Sequence, residues 1–154
     1  MNSQHADTEK VIEVLNDLVQ INNDRIAGYE KALAGLNENS ELAPLFKRMM
    51  NNSIDNNGEL QKWVELFNGT SSTGTSGAGK VFRAWMDLKA LITGGDHKAI
   101  LDSCYAGEEF AIRVYDEILS KAIAGVALQD VIEKHRAVIV QSALEIKALR
   151  DAAT

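Results

Sequence analysis

The sequence predicts an all-α fold, a four-helix bundle forming one domain over residues 1–154, and three observations predict it. Four long segments carry apolar residues in alternating three- and four-residue steps, the spacing that lays an apolar stripe along one side of a helix. Strand signals are scarce, because the chain has a single proline, Pro44, and few alternating Val/Ile/Thr runs. The joints within the first and last pairs of segments are short, whereas the middle connection is long.

The first stripe runs through Ile12, Leu15, Val19, Asn22, Ile26, Tyr29, Leu33 and Leu36. Asn37-Glu38-Asn39-Ser40 ends that helix and supplies Ser40 as the next N-cap, with Pro44 at about the first turn. The second stripe is Leu42, Phe46, Met49, Ser53, Asn56, Leu60, Trp63 and Phe67. Residues Asn68 to Gly79, rich in Gly, Ser and Thr, predict a flexible loop. An extra short helix is expected next, with Val81, Phe82, Trp85, Leu88 and Ile92 on one face. Gly94-Gly95 stops it, and Asp96 caps the third long helix. That helix carries Leu101, Tyr105, Glu108, Ile112, Tyr115, Leu119 and Ala122, and Gly125 is placed as the C′ residue that closes it. The last stripe is Leu128, Ile132, His135, Ile139, Ser142, Ile146 and Leu149. Short joints make helices one and two antiparallel, and likewise three and four. A long crossover between helices two and three, here with the extra short helix within it, is the kind of connection a ferritin-like bundle requires; an up-down bundle uses another short turn.

Composition removes several function classes. A net charge of −6, with Lys and Arg scattered among a majority of acids, argues against nucleic acid as a partner. No apolar run approaches the ~20 residues that cross a bilayer, so no membrane is expected. Met1 to Lys10 is polar and lacks the apolar core of a signal peptide, and Cys104 stands alone, which suits a reducing compartment. A cytoplasmic location is expected.

The informative feature is where the apolar seam fails. Asn22 breaks it in helix one, Ser53 and Asn56 in helix two, Glu108 in helix three, His135 and Ser142 in helix four. Most breaks fall mid-helix, so they are expected at similar height, with Arg25 joining from the edge of the stripe. Buried polar groups left unpaired cost ~1–3 kcal/mol each, so these residues should find one another. Gly107, beside Glu108, permits close helix approach or marks a π-bulge. Two readings compete. Ferritin-like proteins build dinuclear sites at this level from one Glu on each of two helices and Glu-x-x-His on the others. Here Glu108 fits a lone Glu and His135 is the one seam histidine, with Glu30 or Glu59 available as a further ligand to iron, manganese or zinc. Lys62 and Arg136 stand three residues after Glu59 and Glu133, where ligating histidines would be, so a cation there neutralises the carboxylate. The other reading, which the missing histidines favour, is a satisfied polar network that fixes helix register and binds no cofactor.

Other motifs weigh little. Gly74-Thr75-Ser76-Gly77-Ala78-Gly79-Lys80 has P-loop glycine and lysine spacing, yet Val81 replaces the Mg²⁺-binding hydroxyl and no strand precedes it. Cys104 fits a small buried hydrophobe better than a nucleophile.

Several stretches resemble a bacterial ferritin-like family known as domain of unknown function 2383. They are Leu15-Asn16-Asp17-Leu18 with Asn23-Asp24, Arg83-Ala84-Trp85-Met86-Asp87-Leu88-Lys89, Ala106-Gly107-Glu108-Glu109, and Ile146-Lys147-Ala148-Leu149-Arg150-Asp151. The resemblance implies a ferritin-like bundle with an added short helix, association as a homodimer or other homo-oligomer, and a loose link to stress responses. It carries over no ferroxidase or oxygen chemistry, because paired Glu-x-x-His motifs are absent from this sequence. The expected function is therefore a non-enzymatic bundle acting by self-association or through a protein partner. The alternative is a metal-binding protein with an atypical or degenerate mid-bundle site.

Overall fold

Apolar stripes of this length need one another for burial, and a computed structural model shows how they pair. It describes residues 2–36, 40–74, 97–122 and 125–153. They form α1 (Asn2–Gly35), α2 (Leu42–Leu66), α3 (His97–Ser120) and α4 (Val126–Ala152), with no strand among the described residues. The expected short helix over Val81–Ile92, its stop at Gly94-Gly95, the Asp96 cap and most of the glycine-rich stretch after Gly74 lie outside the described residues. No helix among the described residues is long and apolar enough to cross a membrane.

The seams differ from expectation by one position in α1 and α3. In α1 the fully buried residues are Leu15, Leu18, Val19, Asn22, Arg25, Tyr29 and Ala32, whereas Ile26 and Leu33 are only partly buried. In α3 the core positions are Leu101, Cys104, Glu108, Ala111, Tyr115 and Ile118, with Tyr105, Ile112 and Leu119 on the flank. The cause is that apolar residues occupy both positions of neighbouring pairs, so counting them leaves the stripe's centre undecided by about one residue. Small side chains at Ala32, Cys104 and Ala111 take the central positions and let the helices approach. Arg25 is thereby at the centre of the seam and not at its edge. The stripes of α2 and α4 fall largely where expected, although Val64 replaces Trp63 as the buried residue and Leu149 is exposed.

Helix ends follow side-chain and glycine chemistry with one reversal. The N-cap of α2 is Glu41, one residue after the expected Ser40. Ser40 Oγ accepts the Leu42 N–H at 3.3 Å and its carbonyl accepts that of Ala43 from just outside the helix, with Pro44 third in it. At the other end Asn68 takes a left-handed φ of 61°. Asn68 N–H bonds to Glu65 O and Gly69 N–H to Val64 O, the paired bonds of a Schellman cap. Gly125, expected to close α3, instead has extended backbone and serves as the N-cap of α4, its carbonyl accepting the Gln129 N–H at 2.9 Å. The left-handed place after α3 belongs to Ala122, with φ 49°.

Contacts across the bundle fix its topology. Asn22 meets Asn56 and Arg25 meets Ser53, so α1 and α2 are antiparallel. Arg25–Glu108 with Asn22–Tyr115 makes α1 and α3 antiparallel, and Arg48–Glu145 with Glu59–His135 does the same for α2 and α4. Asp116–Arg136 and Asp102–Arg150 complete the ring between α3 and α4. Every neighbouring pair is antiparallel, so α2 and α3, which share no packed face, run the same way. The connection between them must travel the length of the bundle, about 36 Å for a 24-residue helix. This is the long crossover of a ferritin-like bundle. Its first stretch lies along α1: Asn16 Nδ2 donates to Thr70 O, its Oδ1 accepts the Ser72 N–H, and Gln20 and Asn23 hold Ser72 Oγ and Gly74 O.

Candidate functional site

The centre of the bundle is polar because four helices each place a polar residue on a seam at one height. From α1 come Asn22 and Arg25, from α2 Ser53 and Asn56, from α3 Glu108 and Tyr115, and from α4 His135. Asn22, Arg25, Ser53, Glu108 and Tyr115 have no exposed surface.

Arg25 and Glu108 form a two-pronged ion pair. Nε donates to Glu108 Oε1 at 2.6 Å and Nη2 to Oε2 at 2.8 Å, so one guanidinium edge matches both carboxylate oxygens. Nη1 donates to Ser53 Oγ at 2.5 Å, and the Ser53 hydroxyl in turn donates to Asn22 Oδ1 at 2.9 Å. Asn56 Nδ2 donates to the same oxygen at 3.2 Å. Asn22 Nδ2 donates to Tyr115 OH at 2.8 Å and to Leu18 O at 2.9 Å, so both hydrogens and both lone pairs of this amide are engaged. The Arg25 guanidinium also lies 5.9 Å from the Tyr29 ring centroid.

The electrostatics follow from burial. Burial by itself would lower the Arg25 pKa, but the charge of Glu108 and its hydrogen bonds more than offset that, and the guanidinium is held charged. Burial, then the Glu108 carboxylate, pushes the Tyr29 hydroxyl and the Cys104 thiol well above their usual ranges, so Cys104 is a neutral core residue. Burial raises the Tyr115 hydroxyl to about 12.

His135 belongs to a second, more open group. Its Nε2 lies 2.7 Å from Glu59 Oε1, and its ring meets Tyr115 edge-on at 6.4 Å. The histidine side chain is 5% exposed and that of Glu59 is 53% exposed. Its buried Nδ1 has no hydrogen-bond partner among the described residues.

The structure thus brings the anticipated residues into two groups. Glu108, Arg25, Ser53, Asn22 and Asn56 share one network, and His135 with Glu59 forms the other. Glu108 pairs with Arg25, and His135 with Glu59. Glu30 is exposed on α1, and Ser142 donates to Val138 O within its own helix. Lys62 is exposed and Arg136 pairs with Asp116, so the cation that neutralises the central carboxylate is Arg25 and neither of those two. Asn16, Gln20 and Asn23, which hold the crossover, have a sequence signal only in hindsight: amides recur every three or four residues along one outer face of α1.

The donor set does not fit a dinuclear metal centre. Among the described residues no three His, Cys, Asp or Glu side chains group closely enough to hold an ion. Among the described residues the one fully buried glutamate, Glu108, has both oxygens on a guanidinium, which cannot be deprotonated.

Comparisons with known proteins agree with this fold. The profile of a family described as a domain of unknown function (DUF2383) matches residues 10–121. A crystal structure of ferritin-like, diiron-carboxylate proteins from Bacillus anthracis str. Ames is similar, with a TM-score of 0.67 at 17% identity. The likeness covers 96% of this chain and 98% of that one. No curated protein matches the sequence.

Proposed function

The chain belongs to the family described as a domain of unknown function (DUF2383), and from that premise we propose that it is a non-enzymatic ferritin-like bundle. In this reading a fixed arginine does at its centre what a metal ion does in the dinuclear members of the fold, and the protein acts by self-association or through a protein partner in the cytoplasm. The family resemblance extends the reading to a stress-related role. The observation that carries it is the Arg25–Glu108 pair with Ser53, a buried charge network complete in itself. A carboxylate held on both oxygens has little affinity left for a metal.

A second reading has its own support. His135 Nε2 and Glu59 Oε1 lie 2.7 Å apart at the half-open α2–α4 seam, and the structurally similar Bacillus anthracis proteins are described as diiron-carboxylate proteins. A single divalent cation would bind there through His135 Nε2 and Glu59, away from Glu108. Elemental analysis of protein purified without a His-tag or chelator separates the readings. The first expects less than about 0.1 metal per chain, also after incubation with Fe²⁺ under anaerobic conditions. Stoichiometric iron, manganese or zinc lost on His135→Ala but kept on Glu108→Ala would establish the second. Metal lost on Glu108→Ala would overturn the first.

A further inference from the structure

The outer face of α3 and α4 carries features that the central network does not use. A groove of ≈300 Å³ runs between the two helices, lined by Ile112, Val140 and Leu144 among apolar residues, with Glu109, Arg113 and Arg136 also bordering it. Leu144 is 55% exposed, a large apolar side chain at its edge. Arg136 is committed to Asp116, but among the described residues neither Glu109 nor Arg113 makes an ion pair.

The spacing of these two charges is self-complementary. Glu109 and Arg113 share a face of α3 and stand two residues either side of Ala111. The Asp116–Arg136 and Asp102–Arg150 contacts place Ala111 level with Gln141 of α4, so the groove is centred close to this height. A two-fold axis at that height, lying in the face and crossing the helices, sets α3 antiparallel to α3 of a second copy, and α4 to α4. Glu109 of each copy then meets Arg113 of the other. On α4, Val140 lies close to the axis, with Leu144 one turn away. No like charges of α3 collide in this register, since Asp116 faces Ala106 and Asp102 faces Ser120. We infer that the α3–α4 face is an isologous interface that takes a second copy of this chain, built on reciprocal Glu109–Arg113 pairs around an apolar centre.

This inference rests on the self-association reading and names its surface. Sedimentation velocity on the full chain and four variants tests it, with thermal melts to verify that each variant folds. The wild type is expected to be a dimer. Glu109→Arg and Arg113→Glu, which each set two like charges in reciprocal contact, should each weaken the dimer about tenfold or more. The double variant carrying both changes should restore affinity to within about threefold, because the pairs re-form with signs exchanged. Leu144→Glu should leave monomers. A wild type that is monomeric at about 100 μM overturns both self-association and this interface. A dimer indifferent to the charge changes, or weakened as much by the double variant as by the single ones, overturns this face and leaves self-association standing.

Discussion

Arg25 and Glu108 neutralise each other where water is excluded, and neither charge is tolerable there alone. Glu108→Leu strands a buried guanidinium and is expected to lose about 3–5 kcal/mol in urea unfolding. Glu108→Gln should lose less, since its amide oxygen still accepts from Arg25. Combining Arg25→Met with Glu108→Leu should recover most of the loss, because Ser53 keeps its bond to Asn22. Wild-type stability for Glu108→Leu alone would show that the pair is not coupled in this way. Tyr115 gives a pH signature. Its hydroxyl titrates near 10 when unfolded and at about 12 when folded, so only the folded state keeps the proton between those values. The stability this represents is intact below pH 10 and is lost as pH rises towards 12, on the order of 2–3 kcal/mol. The fall in melting temperature over that window should shrink in Tyr115→Phe; an unchanged fall assigns it to other groups. At this scale the breaks at Asn22, Ser53, Asn56 and Glu108 were legible, because polar residues interrupt an apolar period. Their partner was less so. An arginine beside a stripe normally covers a surface, and only the closing of four helices makes position 25 central.

Helix ends show a different limit. Ser40 and Pro44 are readable as a start because their chemistry acts on the backbone locally. The end of α3 is not, because it depends on how far the helix persists: it stops at Ser120, and the left-handed residue becomes Ala122 while Gly125 passes to α4. A Cβ at φ 49° costs roughly 1–2 kcal/mol, partly offset by the stiffer unfolded chain that alanine confers. Ala122→Gly should therefore raise stability by about 0.5–1 kcal/mol, seen as a melting temperature a few degrees higher. A lower melting temperature would mean that the methyl group is stabilised by packing that outweighs the strain. The end of α2 already uses Asn68 in the equivalent conformation, where its short side chain is better tolerated than alanine's.

At the scale of the whole molecule, four helices and a long middle connection were legible from stripe length and joint length alone. The relative heights of residues across helices were not, because register is set by contacts between segments far apart in sequence. Glu108 and His135 looked like partners when each helix was read separately; the assembled bundle gives each a different one. The path of the crossover is another such property, since Asn16, Gln20 and Asn23 matter only once α1 lies beneath residues 70–74. The position of the central ion pair has a kinetic consequence. Its two members are 83 residues apart, whereas the α1–α2 and α3–α4 hairpins close over short joints. Local hairpins form first because they lose less chain entropy, and contacts between them form last. The Arg25–Glu108 pair is therefore expected to form on the native side of the barrier and to act on the lifetime of the folded molecule. In stopped-flow unfolding and refolding, Glu108→Leu should speed unfolding far more than it slows folding, and the reverse would place the pair in the folding nucleus.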